Sequence, residues 1–250
     1  MMKYLLARMV GHFPIEFKGR HRLISNLYSE NSRPAVQKVI RLEGTDRYIC
    51  VNSRNHIGWN ILMYGCYEKN MIKTMKRLLQ NSRCRVALDI GANIGQYSLI
   101  LSEIFEQVYS FEPILEFREQ LTANIDLNRI DNIEVIPFAL GSGRNNIRMA
   151  LLIDHDEPQT ASVDTGNYSF KDLFGWKFQA ADMLSLDEFV KDRSLNNVDY
   201  MKIDTDGSEW DVLRGARETL INFQPLVQIE LVESAKKWNC NISQLEIARF

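Results

Sequence analysis

What this 250-residue chain lacks narrows its possibilities first. Its four cysteines, Cys50, Cys66, Cys84 and Cys240, stand far apart, with no CxxC pair and no histidine cluster beside them. That spacing excludes the usual zinc-ligand patterns and points to free, reduced thiols. No stretch approaches the ~20 consecutive apolar residues a membrane span needs. The apolar opening from Tyr4 to Val10 is broken by Arg8 and followed by no small-residue cleavage site, so it reads poorly as a signal peptide and a cytoplasmic location is expected. An excess of either charge is missing too: 30 Lys and Arg face 32 Asp and Glu, a net charge of -2. Such a balance gives no electrostatic reason to expect nucleic acid or an anionic membrane as partner.

What is present suits a globular protein with one sizeable core, since 45% of residues are hydrophobic and 25% charged. Residues 1 to 80 show short mixed segments without strand-helix alternation and are read as an N-terminal cap. Within it, residues 47 to 51 suggest a strand and residues 68 to 80 a helix, with Met71, Met75, Leu78 and Leu79 as a stripe that packs inward. From Arg85 the pattern becomes repeated strand then helix, so residues 81 to 250 are expected to form an α/β domain whose mostly parallel sheet carries helices on both faces. Strands are expected at 86 to 90, 108 to 111, 133 to 136, 198 to 203 and 226 to 231. Helices are expected at 94 to 105, from Pro113 to about 128, and from 242 to 250. Ser185 with Glu188 and Ser208 with Asp211 look like capping boxes. Residues 141 to 180 are the least regular, with one extra strand at 147 to 153 ahead of a long loop.

The chemistry concentrates where strands end. Asp89-Ile90-Gly91-Ala92-Asn93-Ile94-Gly95 stands at a strand-to-helix turn, where Gly91 and Gly95 would let the backbone approach a ligand and the helix start would offer free N–H groups. A dinucleotide turn needs GxGxxG, but Asn93 and Gln96 occupy its second and third glycine positions. Asp89 would also repel a pyrophosphate, whereas it suits the ammonium of a methionine moiety. Glu112, 21 residues after Gly91 and followed by Pro113, falls where a carboxylate meets a ribose diol. The turn containing Ala139 and Leu140 belongs beside an adenine or in plain core packing. Asp204 and Asp206, after the fourth parallel strand, and Glu230, after the fifth, should share one crevice with them. Each also has a plainer use, as helix cap or buried ion-pair partner. Glu68 could close over the methionine end or simply start a helix, and His155 is a lone loop histidine that could serve as a base.

Taken together these segments resemble the FkbM family of methyltransferases. The likeness runs through Tyr64 to Glu68, Asp89 to Gly95, Phe111-Glu112-Pro113, Ser185-Leu186-Asp187, Lys202 to Gly207 with Glu209, Val212 to Ala216, and Ile229-Glu230. It implies a Rossmann-like class I methyltransferase fold, S-adenosyl-L-methionine as cofactor, and methylation of a hydroxyl on a small molecule, sugar or glycan. The cofactor-binding set would be Glu68, Asp89, Gly91, Ala92, Asn93, Gly95, Glu112, Pro113, Ala139, Leu140 and Asp204, with Asp204, Asp206 and Glu230 catalytic and no resident metal. Those three carboxylates could act as a base cluster or, less in keeping with this reading, as magnesium ligands. Two features depart from the family pattern. Asp206 stands where many members have Glu. The chain also stops at Phe250 before the closing antiparallel strands, so an incomplete domain is expected. An NAD(P)-dependent oxidoreductase and an inactive cofactor-binding scaffold stay open as alternatives.

Overall fold

A computed structural model of the chain describes residues 2–12, 20–27, 33–154, 157–164 and 176–230. It opens with α1 (Met2–Gly11) and α2 (Arg20–Leu27), where the buried Arg20 guanidinium donates to the carbonyls of Val10 and Gly11 and so closes the C-terminus of α1. An antiparallel hairpin follows, β1 (Gln37–Arg41) against β2 (Tyr48–Asn52), one residue later than the sequence pattern placed its second strand. Helix α3 (His56–Tyr64) starts at Asn55, whose side chain accepts from the Gly58 N–H, and ends at Gly65 with φ 80°. Helix α4 (Lys69–Leu79) buries Ile72, Met75 and Leu79. Met71 and Leu78, expected in that stripe, are exposed, because the buried face is rotated toward Ile72.

The alternating half contains β3 (Val86–Ile90), α5 (Gln96–Leu101), β4 (Gln107–Phe111), α6 (Leu115–Asn128) and β5 (Ile133–Ile136). Helix α5 is shorter than the expected 94 to 105, because Ile94 belongs to the turn before it and residues 102 to 104 tighten into turns. Pro113 does not open α6; it precedes the N-cap Ile114. Next come β6 (Ala139–Leu140), β7 (Asn145–Asp154), β8 (Glu157–Val163), β9 (Trp176–Leu184), α7 (Leu186–Asp192), β10 (Tyr200–Ile203), α8 (Glu209–Gly215), α9 (Arg217–Phe223) and β11 (Leu226–Ile229). The Ser185 and Glu188 capping box is formed at α7. Ser208 makes no side-chain cap at α8, contrary to expectation, because its φ of -101° and ψ of 7° lack the extended backbone of an N-cap; the Glu209 carboxylate instead braces the preceding turn through the N–H groups of Thr205 and Gly207. The expected helix at 242 to 250, and the question of closing strands after β11, fall outside the described residues.

The main sheet runs β11-β10-β3-β4-β5, all parallel, and its order reverses between β3 and β10. Register aligns the strand ends in one row: Ile229 beside Ile203, Ile203 beside Ile90, Ile90 beside Phe111, and Phe111 beside Ile136. The next residues, Glu230, Asp204, Gly91 and Glu112, therefore leave the sheet side by side at the switch point, where open α/β sheets hold ligands. This is the α/β arrangement with a parallel sheet expected of residues 81 to 250, seen here over the described part up to residue 230.

Residues 141 to 180 correct the sequence reading. Rather than one strand and a long loop, β7 pairs antiparallel with both β8 and β9 in a second sheet of order β6-β9-β7-β8. Apolar clusters cover both faces of the main sheet. Ala87, Leu99, Leu101 and Phe105 pack with Trp59, Ile61, Leu62 and Met75 of residues 1 to 80, so the cap shares a core with the sheet. Leu88, Ile90, Phe111, Phe189, Met201 and Val212 form the cluster on the other face. Among the described residues no helix is long and apolar enough to cross a membrane.

Candidate active site

Above the aligned strand ends lies a cavity of about 630 Å³. Gly91, Ala92, Asn93, Asp204, Asp206 and Glu230 reach it from the sheet, Glu68, Tyr67, His56 and Arg33 from the cap, and Leu152, Ile153, Gln159 and Thr160 from the antiparallel sheet. A narrower chamber adjoins it through Gly91, Asn93, Asp204 and Asp206. Glu112, Pro113, Phe138, Ala139, Leu140 and Met149 line that chamber, making it mostly apolar.

The turn from β3 to α5 is held differently from the sequence expectation. The N–H groups of Gly91 and Ala92 both donate to the Phe111 carbonyl, at 3.1 and 3.0 Å, and that of Gly95 donates to Ala92. The Asn93 N–H donates to Glu112 Oε2 at 2.8 Å, and the Ile94 N–H to Asn93 Oδ1. Every N–H from 91 to 95 is thus engaged within the protein, so those five residues offer no free backbone donor; the helix itself starts only at Gln96. The glycines serve packing: a Cβ on Gly91 would strike the Asp204 carbonyl, and one on Gly95 would strike Leu121 of α6. Both residues also have positive φ, 79° and 92°. Gly95 does not line either chamber, so its place is in the packing of α5 on α6 and not against a ligand.

Asp89 also stands apart from the expectation of a direct ligand contact. It is fully buried beneath the cavity and lines neither chamber. Ser98 donates to its Oδ2 at 2.6 Å, the Lys202 ammonium is 3.7 Å from Oδ1, and Oδ1 has no hydrogen-bond partner among the described residues. Burial raises its carboxyl above the usual range, opposed by the Lys202 charge and the Ser98 hydrogen bond. Its role is to anchor Lys202 from below, since a carboxylate enclosed on all sides has no route to a ligand's ammonium.

Lys202 was read in the sequence only as part of the family motif and as a possible ion-pair partner of Glu230, not as a site residue, although a lysine inside the otherwise apolar strand Tyr200-Met201-Lys202-Ile203 was a usable signal. It is buried, 3.0 Å from Asp204 Oδ2, and its ammonium lies 4.6 Å from the centre of the Tyr97 ring. Burial opposes its charge, but Asp204 and Asp89 outweigh that and raise its pKa. Burial likewise pushes Asp204 up, yet the Lys202 ammonium and hydrogen bonds from Lys202 and Glu230 hold its carboxyl below the ordinary value. The proton of this carboxyl pair therefore rests on Glu230, which burial and the adjacent Asp204 charge push up to about 8. Glu230 was weighed as an ion-pair partner of Lys202; its partner here is Asp204.

Asp206, with φ 51°, accepts a hydrogen bond from the Thr160 hydroxyl, and burial lifts its carboxyl to about 6. Glu209 clamps the same turn, accepting from the Thr205 and Gly207 N–H groups at 3.1 and 2.9 Å. Glu112 is buried, accepts from Asn93 and, through Oε1, from the Ile114 N–H at 2.9 Å, and is pushed by burial to about 7. Glu68 accepts from the Tyr97 hydroxyl at 2.9 Å; Gln228 in turn donates to Tyr97, and Tyr200 donates to Gln228. Gln96, noticed in sequence only as a missing glycine, pins the cap by donating to the Tyr67 carbonyl and accepting from its N–H. His155 lies outside the described residues. Thr160 and Gln159 were missed because their segment reads as loop, and Tyr97 and Gln228 because they read as ordinary helix and strand residues.

The lining is therefore rich in carboxylates, from Glu68, Asp204, Asp206 and Glu230, and suits a ligand bearing positive charge and hydroxyls. The family model described as the methyltransferase FkbM domain matches residues 89–245. Methyltransferase 1 of Beauveria bassiana is 25% identical over 162 residues, covering 59% of this chain and 64% of that protein. The AMB antimetabolite synthetase AmbE of Pseudomonas aeruginosa is 26% identical over 159 residues, covering 52% of this chain and 8% of the synthetase. The chain thus spans less than two thirds of either curated relative. A solved structure of an FkbM methyltransferase from Methylobacillus flagellatus aligns with a TM-score of 0.40 at 19% identity, over 59% of this chain and 32% of that one.

Proposed function

The chain belongs to the FkbM methyltransferase family, and from that premise we propose that it transfers the methyl group of S-adenosyl-L-methionine to a hydroxyl on a sugar, glycan or other natural product. The observation that carries this reading is the convergence of Gly91, Glu112, Asp204, Asp206 and Glu230 on two joined chambers, one apolar and one acidic. When bound, the cofactor supplies a methyl carbon on a cationic sulfur, an electrophile that needs orientation more than activation.

The residues fit such a group by charge and donor type. Glu112 keeps a second lone pair on each oxygen for ribose hydroxyls, because each already accepts only one backbone N–H. Phe138, Ala139, Leu140 and Pro113 offer an apolar slot for a purine, and the unbranched Met149 at its wall can change rotamer to widen it. Asp204, kept ionised by Lys202, places negative charge where the methionine end carries its ammonium and sulfonium. Glu68, Asn93 and Ala92 complete that side. A pyrophosphate would meet those carboxylates and no free N–H from residues 91 to 95, which favours this reading over the nicotinamide one.

An alcohol is a weak nucleophile near neutrality, so a proton acceptor beside it accelerates the transfer. Asp206, with a pKa of about 6, is ionised at pH 7 and exposed to the cavity, so it takes the hydroxyl proton. Thr160 orients that carboxylate through its hydrogen bond, and the Glu230 and Asp204 pair holds a proton nearby. The test is incubation with methyl-labelled donor and a panel of sugar and polyketide alcohols. Label should appear on an acceptor with the native chain and fall at least about a hundredfold with Asp206→Asn, in line with the loss of one general base. Absence of transfer to every hydroxyl, despite tight binding of the demethylated cofactor, would favour an inactive binding scaffold.

A further inference from the structure

Helix α1 is apolar on two opposite sides. Tyr4, Ala7 and Gly11, spaced three and four apart, turn into the core. On the outward side Leu5, Leu6 and Met9 are 54%, 48% and 71% exposed, where a helix packed by one stripe normally carries polar residues. Between the two faces stand cations, Lys3 on one flank and Arg8 on the other, and Lys38 of β1 has its ammonium 5.4 Å from the Tyr4 ring. None of these three forms an ion pair among the described residues. The charge is regional: residues 1 to 27 hold five Lys and Arg against the single acid Glu16, a local +4 in a chain whose total is -2.

We propose that this outward face of α1 docks on an anionic lipid surface, lying in the headgroup plane with Leu5, Leu6 and Met9 directed into the acyl boundary. An exposed apolar strip bordered by cations that form no ion pair among the described residues is the arrangement that lies in an interface, the apolar part contributing burial and the cations attraction to lipid phosphates. A helix of ten residues is too short to span, and its inner stripe stays in the core, so docking needs no unfolding. Charge decides against a second copy as occupant: a two-fold contact through this face would set the same cations against each other. The inference does not depend on which acceptor the transferase uses.

Co-sedimentation of the full chain with vesicles tests it. The chain should pellet with vesicles of phosphatidylcholine mixed with phosphatidylglycerol and stay in solution with phosphatidylcholine alone, and roughly 0.5 M salt should release it several-fold. Leu5→Ser with Met9→Ser should lower the bound fraction roughly tenfold while circular dichroism and Tm stay unchanged, because both side chains are exposed. Lys3→Glu with Lys38→Glu should act in the same direction. The proposal is overturned by equal pelleting of the serine variant, by no pelleting of the native chain with either vesicle, or by a dimer that the serine pair dissociates without any vesicle binding.

Discussion

Lys202 shows how a single side chain can hold a site together. It stands between two carboxylates, 3.0 Å from Asp204 and 3.7 Å from Asp89, with hardly any solvent to screen the charges. Replacing it with methionine leaves two acids facing each other without their shared cation, and removing one partner of a buried pair costs about 3–5 kcal/mol. Urea denaturation of Lys202→Met should show a loss of that size; an unchanged midpoint would mean that the carboxylates simply take up protons. Glu112 is tested separately. Glu112→Gln keeps the shape but only one acceptor oxygen for the N–H groups of Asn93 and Ile114, so its Tm is compared with the native chain at each pH, and the affinity for S-adenosylhomocysteine should fall by about 1–3 kcal/mol, roughly fivefold to a hundredfold. At this scale the acids were legible because a carboxylate directly after a buried strand is conspicuous. Asp89 looked like one of them but is enclosed, and only the register of β3 beneath α5 reveals that. The same limit hid Tyr97 and Gln228, whose meaning lies in a hydrogen-bond chain to Glu68 across three elements.

Helix starts carry a comparable lesson. Ser185 caps α7 as its sequence suggests, while Ser208, with the same spacing to an acid, caps nothing, since its backbone, with ψ 7° against 152° at Ser185, is not extended. Asp187, inside α7, reaches over to α9 and accepts from the N–H groups of Glu218 and Thr219 at 3.0 and 2.8 Å, a cap supplied by a neighbouring helix. Asp187→Ala should therefore cost about 1–2 kcal/mol in a chemical melt, and Ser208→Ala close to nothing. Equal losses from both would contradict the hydrogen-bond assignment. The parallel strands were legible because each is a short buried apolar run set between helical patterns. Strand β7 was legible at 147 to 153, but β8 and β9 were not: β9 exposes residues along much of its length and the linking stretches are rich in Gly, Asn and Asp, so the rest of a half-solvated antiparallel wall reads as loop. That wall supplies Thr160 and Met149, and misreading it removed one side of the site.

Across the whole molecule, crowding acids around one cavity, with Glu112 buried among them, ties stability to pH. Glu112, Asp206 and Glu230 have folded pKa values of about 7, 6 and 8, all above those of free carboxyls. Over that interval the folded chain binds more protons than the unfolded one, so the stability they provide is complete below about pH 4 and is lost as pH rises through 6 to 8. Tm of the cofactor-free protein should fall between pH 5 and pH 8, with buried Glu112 contributing on the order of 3 kcal/mol; Glu112→Gln should flatten that slope, and a Tm that rises with pH would contradict the raised pKa values of these carboxyls. The even net charge read from composition was a sound total and a poor guide to distribution, since it conceals both this acidic cavity and the basic first 27 residues. The shared core of cap and sheet was also beyond reach of periodicity, which shows that a face is apolar but not what covers it. The central claim is that the turn at Asn93 and the carboxylate of Glu112 hold a nucleoside whose cationic end faces Asp204. Titration calorimetry of the full chain with S-adenosylhomocysteine, and in parallel with NADH, tests it most directly. The account predicts saturable binding of the former, weakened by Glu112→Gln, with no heat from NADH; binding of NADH alone, or a Glu112→Gln variant that binds S-adenosylhomocysteine as tightly as the native chain, would contradict it.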